Sequence, residues 1–266
     1  MHQIIDTHCH IYPDAIADRA VAGIGNFYHA PIVCDGRVAT LLTEGAQAGV
    51  TQFVVCSVAT TPHQVDSINR FIADAVQQHP DVLYGMGALH PDSEDQAADV
   101  RQVLALGLRG IKLHPDIQQI QVDDPRYLKI FELCEGKLPV LCHLGDARYD
   151  YSNPNRVKHV LELFPHLQLI GAHFGGWSVW AEAAKELHAY PNLMVDCSSS
   201  LFSMTPEEGA RLVRTYGADR VLFGTDYPMW RADEELARFN AMPLTDAERE
   251  QILFQNAARL YEIPVG

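Results

Sequence analysis

The sequence predicts a parallel (β/α)8 barrel of the TIM type with extra C-terminal helices, and three observations predict it. Short apolar, β-branched runs alternate with longer amphipathic stretches from one end of the chain to the other, the pattern of parallel strands joined by crossover helices. Eight such units can be counted, where an open doubly wound sheet has about five or six strands. The strand-like runs are almost continuously apolar, as expected when both faces of a sheet are covered. No Gly-x-Gly-x-x-Gly follows the first of them, which argues against a dinucleotide-binding sheet.

Taken in order, the first run at 3–8 leads into a stretch at 12–38 rich in Gly, Ala, His and Pro. It reads as a long loop, of the kind that lies over the catalytic mouth of a barrel. The second run, 52–57, precedes a helix at 62–78 that Thr60-Thr61 can cap and His79-Pro80 stops. The third, 83–89, precedes a helix at 93–106 that opens on Ser93-Glu94 and ends at Gly107. After the fourth, 108–113, comes a helix at 127–135 stopped by Gly136. The fifth, 139–143, is followed by a helix at 155–164 set between Pro154 and Pro165. The sixth, 168–173, is followed by one at 177–189 that ends before Pro191. After the seventh, 192–197, a helix at 205–216 begins Thr205-Pro206-Glu207-Glu208 and ends at Gly217. That opening joins a cap, an N1 proline and acids favoured by the helix dipole. The eighth run, 220–225, precedes helices at 233–240 and 246–262 that can close the barrel. With no linker or low-complexity tract, a single domain over 1–266 is expected.

Composition narrows the partners. A hydrophobic fraction of 47% with 20% charged residues describes a globular chain with a sizeable core. No run approaches the ~18 apolar residues of a membrane span. Met1 to Asp6 lacks the basic and apolar segments of a secretory signal, so a cytoplasmic location is expected. The net charge of -14, from 34 acids against 20 bases, would repel a phosphate backbone. A small-molecule substrate is therefore the expected partner, not nucleic acid or membrane, and a homodimer follows from the habit of the class. The six cysteines show no CxxC spacing and read as buried free thiols in a reducing compartment.

Barrels of this type carry their chemistry at the C-terminal ends of the strands. The first strand ends Asp6-Thr7-His8-Cys9-His10, and a two-residue period sets Asp6, His8 and His10 on one face. His143 ends the fifth strand, His173 the sixth, and Asp226 follows the eighth. A single histidine at a strand end is ordinarily structural. Four of them, matched by an aspartate, make the imidazole and carboxylate set that a borderline divalent ion takes, usually Zn2+.

Asp-Thr-His-Cys-His-Ile-Tyr-Pro at 6–13, Gly-Ile-Lys-Leu-His-Pro at 110–115 and Pro-Val-Leu-Cys-His at 139–143 carry a family resemblance. So do Ala-His-Phe-Gly-Gly at 172–176, Phe-Gly-Thr-Asp-Tyr-Pro at 223–228 and Asn-Ala-Ala-Arg-Leu-Tyr at 256–261. Together they resemble the amidohydrolase superfamily, in its amidohydrolase-related branch, which includes aminocarboxymuconate-semialdehyde decarboxylase. The resemblance spans essentially the whole chain. It implies a metal-dependent-hydrolase barrel holding one Zn2+ through His8, His10, His143 and Asp226. It also makes Asp226 the base that takes a proton from activated water, and His173 a residue that acts on substrate. A bound Zn2+ lowers the pKa of its water to about 7 and polarises a carbonyl.

Lys112 on the fourth strand leaves three readings open: a carboxylated bridge between two metals, a cationic contact for a substrate carboxylate, or a buried lysine paired with Asp6 or another acid. His114, two residues on, is expected to touch substrate or to support the ligands. Trp177 and Arg148, after the sixth and fifth strands, are further candidates for substrate contact, as are Trp230 and Arg231. Trp180 is explained as well by helix packing, and His90 reads as structural. The leading function is hydrolysis of a small carboxylated molecule by zinc-activated water. The alternative is non-oxidative decarboxylation of an unsaturated or aromatic acid, with His173 assisting. A two-metal phosphoesterase fits less well, since Lys112-Leu113-His114 offers no acidic bridge. A catalytically dead barrel would have lost a ligand, and none is missing.

Overall fold

Parallel pairing carries the chain around a closed barrel in the computed structural model, which describes residues 3–264. Met1 and His2, where the segment read for a secretory signal begins, lie outside the described residues. The strands are β1 (Ile5–His10), β2 (Gln52–Cys56), β3 (Leu83–Gly85), β4 (Gly87–Ala88) and β5 (Ile111–Leu113). They continue with β6 (Val140–Cys142), β7 (Leu169–Gly171), β8 (Leu193–Asp196) and β9 (Val221–Leu222). Every residue in them is buried, the outcome that their near-continuous apolar character implied.

β3 and β4 are two halves of one strand. Met86 N donates to Val55 O of β2 at 2.9 Å, and Gly87 N donates to Gly110 O, just before β5, at 2.9 Å. The strand thus hands its pairing from one neighbour to the next at Met86. Closure comes at β9 and β1. Thr7 N donates to Phe223 O at 3.0 Å, and Cys9 and Tyr227 form a parallel bridge. The buried Asp6 carboxylate clamps the same seam, accepting from Thr225 N at 3.0 Å and Thr225 Oγ1 at 2.6 Å. Eight strands result, as the eight units predicted.

The expected helices surround them: α3 (Val65–Gln78), α4 (Gln96–Ala105), α6 (Pro125–Cys134), α7 (Pro154–Leu163), α8 (Trp180–Leu187) and α9 (Pro206–Tyr216). Thr205 and Glu208 form the capping box read in the sequence, and Thr61 forms another with Gln64 just before α3. The C-terminal extension comprises α10 (Ala232–Ala241), α11 (Asp246–Glu250), a π-helical turn at Gln251–Gln255 and α12 (Asn256–Leu260). Ala257, Ala258, Tyr261 and Ile263 pack with Ile5, Val54, Met86, Leu141, Ile170 and Leu222. The extra helix and the residues after it thereby plug the inner core.

The stretch at 12–38 corrects the expectation of a loop. Most of it is a helix, α1 (Asp14–Tyr28), which follows Pro13 and ends at His29 in the left-handed region. Ile16, Ala20, Gly23, Ile24 and Phe27 recur at helical spacing, and they line the cavity at the barrel mouth. Two glycines and the run of small residues hid that period. A further helix, α2 (Val38–Ala48), follows and was not foreseen. The short α5 (Pro115–Gln118) sits directly after β5. All six cysteines are free and buried, as read. Among the described residues no helix is long and apolar enough to cross a membrane.

Candidate metal centre and substrate pocket

β1 carries a register shift between Asp6 and Cys9, and the imidazoles of His8 within it and His10 just past it converge. His8 Nε2 and His10 Nε2 are 3.2 Å apart. Asp226 Oδ1 lies 3.4 Å from the first and 3.5 Å from the second. A four-coordinate ion with ligands at about 2.1 Å sets them about 3.4 Å apart, so this triangle fits a transition-metal ion. Gly224 permits the approach of β9 to β1 here, because a Cβ at that position would meet His8 Cβ at 2.9 Å.

The donors are held in the form a metal needs. His8 Nδ1 donates to Asp196 Oδ2 at 2.9 Å, both side chains being fully buried. The Nε2 of His8 is therefore left with its lone pair. Burial works to raise the Asp196 carboxyl, but its contacts with His8 and Ser198 outweigh it and hold the group well below the usual carboxylate range. Burial, reinforced by the charge of Lys112, pushes His10 well below the ordinary histidine value. Neutral imidazole is the ligating form. Asp226 is oriented by Ser199 Oγ, which donates to its Oδ2 at 2.6 Å and accepts from Trp230 Nε1 at 3.0 Å. Asp226 and His173 both take a φ of 60°, and Ser199 one of 44°. Left-handed backbone of this kind is uncommon outside glycine and collects at functional sites.

His143, the fourth ligand expected from sequence, falls outside that triangle and clusters instead with His114. Its ring stacks on His114 with centroids 4.0 Å apart, and its Nδ1 lies 3.1 Å from His173 Nε2. Its Nε2 is buried and lacks a partner among the described residues. His173 donates Nδ1–H to Ser198 O at 2.9 Å, which leaves its Nε2 facing His143. Lys112 is buried, and its Nζ is 3.0 Å from His8 Nε2. Asp6 is not its partner, since that carboxylate is taken by Thr225 and by His8 N. The paired-lysine reading with Asp6 is thus corrected.

These groups form one end of a cavity of about 630 Å3. His8, His10, Lys112, His114, His143, His173 and Asp226 supply the polar floor, while α1, Phe71 and Met229 supply an apolar wall. Arg148 and Trp177 are not on its lining, contrary to expectation. Arg148 grips the buried Asp146 at 2.7 Å, donates to Phe27 O at 2.8 Å and lies 5.5 Å from the Trp177 ring centroid. It braces the end of α1 from behind. Trp230 is also off the lining, bonded to Ser199 behind Asp226, and Arg231 is engaged with Glu44 and Asp233. His90 accepts from Asp92 N, a structural role. A second cavity, about 740 Å3, opens near the N-terminal ends of β6 and β7. Its Arg220 and Lys137 are spent on backbone carbonyls, and it holds none of the convergent histidines.

Sequence reasoning missed Asp196, Ser199 and Tyr28. Asp196 was within reach, because it ends the seventh strand and the strand-end rule applies to it as well. Tyr28 was concealed by the loop reading of α1.

The amidohydrolase family model matches residues 5–263. A 2-amino-3-carboxymuconate-6-semialdehyde decarboxylase of Caenorhabditis elegans is 21% identical over 79% of this chain and 75% of its own length. Among solved structures, an uncharacterised TIM-barrel protein of Bordetella bronchiseptica superposes with a TM-score of 0.80 at 24% identity, covering 98% of this chain and 99% of the other. A 5-carboxyvanillate decarboxylase of Novosphingobium aromaticivorans, with bound manganese and 3-methoxy-4-hydroxy-5-nitrobenzoic acid, superposes with a TM-score of 0.76 at 17% identity, covering 98% and 97%.

Proposed function

The chain belongs to the amidohydrolase family, and on that premise we propose that it is a divalent-metal-dependent, non-oxidative decarboxylase of an aromatic or unsaturated acid. The observation that carries the proposal is the division of the cavity. A metal cradle with a buried lysine forms its floor, and α1, Phe71 and Met229 give it an apolar wall. Sequence alone ranked hydrolysis first. The named relatives, two of them decarboxylases, support the alternative better.

His8, His10 and Asp226 would hold the ion, with His143 as a fourth ligand. Manganese in a structural neighbour speaks for a divalent transition ion rather than for zinc in particular. Bound there, such an ion supplies positive charge that draws an anionic substrate and stabilises electron density released onto it. The remaining chemistry lies with the chain. Lys112 contributes a second positive charge beside His8 to orient the carboxylate. The α1 wall keeps water from the ring and positions it. When the bond from carbon to the carboxylate breaks, its electron pair stays on the carbon and carbon dioxide leaves. A proton must form the new C–H bond. His173 and Asp226, both on the cavity floor, are placed to take up a proton from solvent and pass it to that carbon.

The test is to load the protein with manganese or zinc and offer hydroxybenzoic and unsaturated acids beside esters and lactones. Carbon dioxide release that depends on the metal is expected. Hydrolysis of an ester or lactone without carbon dioxide from any acid would overturn the proposal and restore hydrolysis.

A further inference from the structure

The hydrogen bonds around His114 dictate where the proton of Tyr28 goes. Ile117 N donates to His114 Nδ1 at 3.2 Å, and a ring nitrogen that accepts carries no proton. His114 therefore holds its proton on Nε2. That nitrogen is 2.8 Å from the Tyr28 hydroxyl oxygen, so Nε2–H donates and the phenol oxygen accepts. The phenol's own proton then needs another acceptor. Among the described residues the other partner is His143 Nδ1, at a long 3.4 Å, and that nitrogen already faces His173 Nε2 at 3.1 Å. Tyr28 is at the same time on the lining of the cavity. Its ring is fixed by Trp177, with centroids 5.1 Å apart, and by Phe27, at 4.9 Å.

We propose that Tyr28 donates a hydrogen bond through its hydroxyl to an anionic oxygen of the substrate, a carboxylate or phenolate, and that His114 is the positioning residue that aims it. For the class of ligand, an organic acid, this rests on the decarboxylase reading. It converts α1 from a wall into a recognition element. The apolar residues of α1 accept the ring or unsaturated chain, and the last residue of the same helix reads the acid. Tyr28 also explains why His114 lies on the cavity floor without being needed in the metal triangle.

Benzoate is the probe, titrated into protein loaded with cobalt(II) and followed through the visible spectrum of the ion. Tyr28→Phe should weaken benzoate binding roughly ten-fold or more while cobalt content and melting temperature stay at parent values. His114→Asn retains an acceptor for Ile117 N but lacks the ring N–H, and should weaken it by a smaller factor. Equal benzoate affinity in Tyr28→Phe overturns the assignment. So does loss of cobalt together with benzoate, which would mark a structural role, or a parent that does not bind benzoate at all. Tyr28-dependent binding in a protein that releases carbon dioxide from no acid would sink the decarboxylase reading and leave this assignment standing.

Discussion

Asp196 Oδ2 and His8 Nδ1 are 2.9 Å apart with neither side chain exposed, and the other oxygen of Asp196 is committed as well. Oδ1 accepts from His173 N at 3.1 Å, Ser198 N at 3.0 Å and Ser198 Oγ at 2.6 Å. An asparagine here must keep its oxygen on those backbone donors, which turns its amide N–H toward His8 Nδ1. The imidazole would then carry its proton on Nε2, where the metal lone pair is required. Asp196→Asn should therefore lose about ten- to a hundred-fold in metal affinity with little change in fold. Competition with a chelator measures it. Unchanged affinity would remove Asp196 from the support of the site.

Asp226→Asn separates chemistry from folding for a backbone reason. The residue sits at φ 60°, and asparagine tolerates that region better than most side chains. Its amide oxygen can still accept from Ser199. Thermal unfolding should stay within a degree or two of the parent, while turnover drops by roughly a hundred-fold or more for loss of a proton-transfer group. Full activity in this variant contradicts any role of Asp226 in proton transfer or metal binding.

Arg148 offers a contrast between the role expected from sequence and the one its contacts give it. Asp146 beneath it has a fully buried side chain, whereas the arginine is 30% exposed. Arg148→Ala leaves that carboxylate unpaired and removes the bond to Phe27 O. A fully buried pair broken on one side costs several kcal/mol; partial solvent access here brings the expected loss to about 2 kcal/mol. The urea midpoint should fall accordingly. An arginine that bound substrate would leave the midpoint in place and raise KM instead.

These cases show what the sequence could and could not reveal. Barrel closure was legible because each strand is covered on both faces, which leaves a run of apolar residues that periodicity detects. His8, His10 and Asp226 were legible because the C-terminal strand ends converge in any such barrel. The geometry around them was less so. Whether His143 joins the triangle depends on ring stacking with His114, and stacking has no sequence period. Arg148 follows the fifth strand as a substrate contact would, yet Asp146, two residues earlier, captures it first. In α1 the apolar face looks into a cavity rather than a core. Ile16, Ile24 and Phe27 on that face are interleaved with alanines and glycines, and a helix written that way resembles a loop.

Glu235 on α10 gives a prediction about stability rather than catalysis. Its side chain is fully buried; Oε1 accepts from Arg238, and Oε2 has no partner among the described residues. Burial, only partly offset by Arg238, pushes its carboxyl up to about 7 from an ordinary 4.5. Between those values the folded chain holds a proton that the unfolded chain has released. The contribution is thus present in full below about pH 4.5 and lost as pH rises through 7. A gap of that size is worth about 3 kcal/mol at most. Glu235→Gln cannot ionise and escapes the loss. Measured by urea unfolding, the variant should gain about 2 kcal/mol on the parent between pH 5 and pH 8. A difference that does not change with pH would mean that Glu235 ionises as easily in the folded chain as in the unfolded one, with Arg238 compensating fully for its burial.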